Sequence, residues 1–151
     1  MASSQSTEVS KATQADVPAV LALLRRCELL ETGVPEAIDG FVVGRSAGEL
    51  IGCAALEPHG EMGLLRSVAV HAEARSRGLG TALVTHVVAA ARGRGLRELF
   101  LLTTTAERFF ERRGFEAVPR NSVPAEIADS WEFRVGCPQT ALPMRLALKE
   151  T

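Results

Sequence analysis

The stretch from Leu64 to Leu83 constrains this chain most. It reads Leu64-Leu65-Arg66-Ser67-Val68-Ala69-Val70, a short polar loop, then Arg75-Ser76-Arg77-Gly78-Leu79-Gly80 opening into Thr81-Ala82-Leu83. An apolar run of strand length, followed at once by helical spacing, predicts a strand that feeds a helix through a tight turn. Leu83, Val84, Val87, Val88 and Ala91 fall on one stripe, which predicts a helix from about Gly80 to Ala91, ended by Gly93 and Gly95. Glycine at 78 and 80 removes β-carbons where a ligand must come close to the backbone. The first turn of the helix adds N–H groups without helical acceptors and the positive end of the helix dipole. Such a turn suits a diphosphate, and Arg75 and Arg77 add charge of the right kind. The neighbouring nucleotide patterns do not fit: no lysine follows the second glycine as in GxxxxGK[ST], and GxGxxG is absent.

Around this stretch the chain alternates strands and helices. Glu8–Ala12 reads as a strand, and Thr13 as the N-cap of a helix carrying Val17, Val20, Leu21, Leu23 and Leu24. Glu28–Asp39, with Gly33 and Pro35, reads as irregular. Gly40–Arg45 and Glu49–Leu56 are strands joined by a hairpin turn at Ser46-Ala47-Gly48. Pro58-His59-Gly60 predicts a second turn, into a strand over Met62–Val70. Leu96–Thr103 has the continuous apolar character of a buried strand, and Ala106–Arg113 of a short helix stopped by Gly114. Phe115–Val118 begins another strand. Pro119–Ser130 is irregular with one helical turn after Pro124, and Ala141–Leu148 is a last strand in which Pro143 predicts an edge or a bulge. Consecutive early strands and later alternation imply a mixed α+β fold with a partly antiparallel, partly parallel sheet.

With 151 residues the chain fits one domain, expected over residues 8–149 after a flexible stretch at 1–7. A net charge of −1 argues against nucleic acid as a partner, since phosphate binding needs a basic surplus. That leaves Arg92-Gly93-Arg94-Gly95 a poor RNA signal. No apolar run is long enough to span a bilayer, so no membrane partner is expected, and the polar amino terminus is no signal peptide. Cys27, Cys53 and Cys137 are odd in number and contain no CxxC pair, which predicts reduced thiols, a cytoplasmic location and no metal centre.

Val68-Ala69-Val70, His71-Ala72-Glu73-Ala74 and R-S-R-G-L-G-T-A-L-V together resemble motif A of the GNAT superfamily of N-acetyltransferases. Ala106-Glu107-Arg108-Phe109-Phe110-Glu111-Arg112-Arg113-Gly114-Phe115 is similar to its motif B. The resemblance extends from Glu8 to Leu148. It implies a central mixed sheet of six to seven strands with about four helices, splayed between strands 4 and 5 to admit acetyl-CoA as co-substrate. It further implies that the backbone of Val68, Ala69 and Val70 pairs with the pantetheine arm, and that Arg75, Ser76, Arg77, Gly78, Leu79, Gly80 and Thr81 hold the pyrophosphate. Phe110 and Arg113 of motif B complete the cofactor side. The implied reaction is transfer of acetyl to the amine of a small molecule by a monomer or homodimer. Leu65-Arg66-Ser67, Leu102-Thr103-Thr104-Thr105-Ala106, Phe109-Phe110 and Cys137-Pro138 are similar to a subgroup encoded in arsenic-resistance operons, which adds amino-acid-like toxicants and arsenicals to the acceptors.

One departure matters. Many members of the superfamily place a tyrosine in motif B to protonate the leaving thiolate; its place here is Phe110, and the chain contains no tyrosine. Water, Cys137 or Thr104 stand as replacements, and a non-catalytic acyl-CoA-binding module or a protein N-acetyltransferase are the alternative readings. Glu57, His59 and Glu61 surround the turn that the resemblance places near the amine, with Glu57 the first choice of general base. Arg66 interrupts an apolar strand, so it needs a carboxylate from the protein or from a substrate. Ser67, Thr103, Thr104 and Thr105 complete the expected acceptor pocket, the threonines being equally suited to capping the helix that follows. Cys137, near Trp131 and Phe133, would line the same pocket.

Overall fold

Two tight hairpins build the first half of the sheet. Strands β2 (Phe41–Ser46) and β3 (Glu49–His59) are joined by Ala47 and Gly48, both with positive φ (52° and 81°), the requirement of a two-residue turn that follows the strand twist. Strand β4 (Met62–Val70) follows β3 through Gly60 and Glu61. The computed structural model describes residues 7–75, 78–130 and 140–148. The remaining elements are β1 (Thr7–Lys11), α1 (Val17–Arg26), α2 (Leu79–Gly93), β5 (Glu98–Thr103), α3 (Glu107–Glu111), β6 (Glu116–Ala117), α4 (Ala125–Ala128) and β7 (Leu142–Ala147). The seven described strands follow the order β1-β2-β3-β4-β5-β7-β6, with β4 and β5 parallel and the described pairs β1–β2, β2–β3, β5–β7 and β6–β7 antiparallel. This is the mixed α+β sheet expected from the sequence.

Residues up to Leu56 together with Ser67–Val87 form one compact unit; Glu57–Arg66 together with Val88 onward form the other. In the first, Val20, Leu23 and Leu24 of α1 recur at helical spacing and are buried with Ile38, Phe41, Val43, Cys53, Ala55 and Ala69. The helix is preceded by a 3-10 turn over Gln14–Asp16, in which the Thr13 amide donates to Asp16 Oδ2 at 2.8 Å. That bond holds the Asp16 carboxyl below its ordinary pKa against the opposing effect of burial, and the ion pair with Arg45 adds to it. At its other end α1 closes in a Schellman arrangement, with the Leu29 amide on the Leu24 carbonyl and the Glu28 amide on the Arg25 carbonyl. Glu28 therefore holds the left-handed conformation (φ 60°) usually given to glycine. Helix α2 ends the same way, with Gly95 in that place.

In the second unit, Leu64 and Phe100 are buried with Val123 and Ile127. The β4–β5 ladder covers Met62↔Glu98, Gly63↔Leu99 and Leu64↔Phe100, although β4 runs on to Val70 and β5 to Thr103.

Two expectations need correction. The turn after β3 is Gly60-Glu61, not Pro58-His59-Gly60, because Pro58 and His59 still belong to the strand. Pro143 lies neither on an edge strand nor at a shift of register: β7 sits between β5 and β6, with Pro143 opposite Leu102 in an unbroken β5–β7 ladder. Its carbonyl accepts from Val118, just past the two-residue β6, so its missing N–H falls on that side, at the end of a short ladder where little is lost.

Candidate active site

The loop after β4 is fastened at several points within the first unit. Between β2 and β3 the register shifts, with Gly44 opposite Gly52 and Arg45 opposite Leu50, so Ile51 is the extra residue. The carbonyl of Ile51 accepts the amide of His71, the first residue beyond β4, at 2.8 Å. The Gly44–Gly52 pair leaves an empty seat on the sheet, and Leu79 fills it. A β-carbon on Gly44 would meet Leu79 Cδ1 at 2.7 Å, and one on Gly52 would meet Leu79 Cδ2 at 2.8 Å. Leu79 is the first residue of α2, so this seat fixes where the helix begins. Gly78 directly before it has φ 84°, and among the described residues no atom outside its chain neighbours lies within 4 Å of where its β-carbon would sit. A positive φ and open space beside the backbone are what an anion held on a helix N-terminus requires. The first described ladder bond of α2 runs from the Ala82 amide to the Gly78 carbonyl.

Arg75 turns back: its Nε donates to the Val70 carbonyl at 3.0 Å and its NH2 lies 3.7 Å from Cys27 Sγ. Ser76 and Arg77, expected beside it in the pyrophosphate turn, lie outside the described residues. Within β4, Ser67 takes a left-handed conformation (φ 58°), a local departure from extended strand geometry just before Val68–Val70. Its carbonyl accepts from the Cys53 thiol at 3.2 Å. Burial pushes that thiol up to about 12.

The second unit holds a polar cluster. Glu57, near the end of β3, places Oε1 2.9 Å from His59 Nε2 and Oε2 3.4 Å from Arg66 NH1. Side chains two apart on a strand share a face, which brings Glu57 and His59 together. The Arg66 side chain is 6% exposed, against 31% for Glu57 and 24% for His59. Thus the carboxylate that Arg66 needs is supplied by the protein. His59, ranked below Glu57 from sequence alone, thus lies in direct contact with it; their spacing of two on one strand was the available signal.

Thr103 Oγ1 accepts the amide of Ala106 at 3.0 Å and so fixes the approach to α3, while Thr104 and Thr105 are exposed. Phe110 is buried between Phe109 and Phe115, edge-on to both, at 5.0 and 5.7 Å between ring centroids. Arg113 stacks its guanidinium 3.6 Å from the centre of the Phe109 ring, and burial, with Arg112 alongside, lowers its pKa. Cys137, Trp131 and Phe133 lie outside the described residues. Among the described residues no three His, Cys, Asp or Glu side chains gather as metal ligands, and no helix is long and apolar enough to cross a membrane.

Residues 13–115 match the profile described as "Acetyltransferase (GNAT) family". The chain belongs to that family. Among curated proteins, this GNAT chain is 36% identical over 136 residues to an amino-acid acetyltransferase of Salmonella typhi, covering 84% of this chain and 31% of the relative. It therefore spans about a third of the length of the curated relatives it matches. Among solved structures it is similar to N-acetylglutamate synthase from Neisseria gonorrhoeae complexed with coenzyme A and N-acetyl-glutamate. There the TM-score is 0.84 and the identity 26%, covering 96% of this chain and 36% of that one. It is also similar to Rv2747 from Mycobacterium tuberculosis in complex with CoA and NLQ, with a TM-score of 0.78 and 28% identity over 93% of this chain and 98% of that one.

Proposed function

We propose that this GNAT domain is an enzyme that transfers acetyl from acetyl-CoA to the amine of a small, amino-acid-like molecule. The observation that carries the reading is the start of α2, where Gly78 holds φ 84° beside open space within the matched region. The structural relatives named above are complexed with coenzyme A, which supports the same co-substrate here. In this reading residues 75–81 take the pyrophosphate, and the backbone of Val68, Ala69 and Val70 pairs with the pantetheine arm. Phe110 and Arg113 belong to the cofactor side.

On the acceptor side the Glu57–His59 pair takes up the ammonium proton, and Arg66, Ser67 and Thr103–Thr105 contribute to the pocket. An amine is useless as a nucleophile until deprotonated, so a proton acceptor and a fixed thioester are the two requirements of the reaction. Relatives described as amino-acid acetyltransferases favour an acceptor bearing both amine and carboxylate. Toxicants built on an amino-acid frame, arsenicals included, present the same two groups, which accommodates the narrower reading of a role in arsenic resistance. Cys137 stays a candidate proton donor to the leaving thiolate.

The test is free-thiol release from acetyl-CoA with a panel of amino acids, amino-acid analogues including arsenicals, and peptides. Turnover on free amino acids or their analogues, and not on peptides, is the expected result. Stoichiometric acetyl-CoA binding without turnover on any amine would replace the enzyme with a binding module, and a preference for peptides would reassign the acceptor to protein.

A further inference from the structure

We infer that His59 is the residue that accepts the proton from the acceptor amine, and that Glu57 is a positioning residue fixed in turn by buried Arg66. The inference rests on the transfer reading above and divides the labour within its Glu57–His59 pair. A carboxylate only accepts hydrogen bonds, so the hydrogen in the 2.9 Å contact between Glu57 Oε1 and His59 belongs to Nε2. In a neutral imidazole this leaves the lone pair on Nδ1. Glu57 has both oxygens engaged, one on His59 and one on Arg66 at 3.4 Å. His59 keeps a ring nitrogen outside this contact, and its side chain retains 24% exposure, enough for an amine or a bridging water to reach it.

Arg66, only 6% exposed, locks the carboxylate from the neighbouring strand β4. A group held by its partner through one ring nitrogen, with part of the ring still exposed, is the arrangement of an oriented base. The nearby charges are otherwise matched: Glu61 of the β3–β4 turn pairs with Arg97, and Glu98 of β5 with Arg145 of β7. Among the described residues, the charged groups brought to His59 are thus Glu57 directly and Arg66 behind it.

The proton balance is complete. One ammonium proton moves to His59 Nδ1, giving imidazolium, and the freed lone pair forms the N–C bond to the thioester carbonyl. When the C–S bond breaks, the intermediate gives up its remaining extra N–H proton and the departing sulfur gains one, directly or through a donor such as Cys137, giving amide and free thiol. Imidazolium returns its proton to solvent.

His59→Gln keeps a donor for Glu57 and removes the base. It is expected to lower kcat about 100-fold and to abolish the acidic limb of the pH–rate profile, with the KM for acetyl-CoA unchanged. Glu57→Gln is expected to lower kcat about tenfold while keeping that limb, and Glu57→Asp to restore part of the loss. A retained limb in His59→Gln, or its loss in Glu57→Gln alone, overturns the assignment. An independent arm uses the unaltered protein: with only three histidines in the chain, imidazole 15N shifts report the tautomer of each. His59 protonated on Nε2 is expected, and protonation on Nδ1 would refute the inference whether or not any amine turns over. A protein that releases no thiol with any acceptor defeats the transfer reading instead, and the two failures are told apart.

Discussion

Leu79 occupies the space above Gly52 that any side chain at that position would need, its Cδ2 lying 2.8 Å from where a β-carbon on Gly52 would sit. Because Leu79 begins α2, pushing it away moves the helix start and the turn before it. Gly52→Val is expected to destabilise the fold by about 2 kcal/mol, the usual cost of overpacking, and to raise the KM for acetyl-CoA about tenfold with kcat little changed. Chemical denaturation and steady-state kinetics check the two halves. An unchanged KM in a destabilised protein would detach the seat from the binding turn.

Gly78 offers a sharper test of that turn. Gly78→Glu places a negative group where the backbone adopts φ 84° and faces open space. Acetyl-CoA affinity is expected to fall by at least about 100-fold, whereas Gly78→Asn, which tolerates the left-handed conformation, should keep most of it. Titration calorimetry distinguishes them, and wild-type affinity in the glutamate variant would contradict the pyrophosphate assignment.

How far the sequence carried these conclusions depended on whether a feature is local. The bounds of β4, Met62–Val70, were legible because an apolar run meets polar residues at both ends. The end of β3 was not, since the turn character of Pro58 is overridden by its place in the sheet and only Gly60 of the expected turn lies in the real one. The seat for Leu79 depends on register. Gly44 and Gly52 face each other only because Ile51 bulges, and no spacing rule in the sequence announces a bulge. Arg66 announced its need for a carboxylate by interrupting an apolar strand, but which carboxylate answers it is a matter of three-dimensional neighbours.

Arg66→Met should expose how the Glu57–His59–Arg66 cluster is braced. Its removal leaves a partly buried Glu57 without its cationic neighbour, and a loss of roughly 2 kcal/mol in stability is expected. Double substitution with Glu57→Gln should recover part of that loss. Additive losses would mean that the two side chains act separately.

Glu28 points the other way. A non-glycine residue at the left-handed position closing α1 costs the folded state, so Glu28→Gly is expected to raise stability by about 0.5–1 kcal/mol despite the greater freedom it gives the unfolded chain. A drop in melting temperature would show that the Glu28 side chain makes a compensating contact.

Cys53 sets a limit at high pH. Its buried thiol is pushed up to about 12 from an ordinary value of 9.0, so between these values the folded chain retains a proton that the unfolded chain has lost. The stability from keeping this thiol neutral is complete below pH 9 and declines as pH rises toward 12. Cys53→Ala should flatten that decline in denaturant titrations. In the native protein at about pH 8, alkylation should modify the partly exposed Cys27 well before Cys53.

Phe110, wedged edge-on between two other phenyl rings, puts plain hydrocarbon where the resemblance to motif B leads one to expect a proton-donating tyrosine. If acetyl transfer proceeds as proposed, the departing sulfur draws no help from that helix, and its own acidity governs how readily it leaves. Thioesters of more acidic thiols would then react faster, so the choice of acyl carrier tunes the rate electronically as well as through fit.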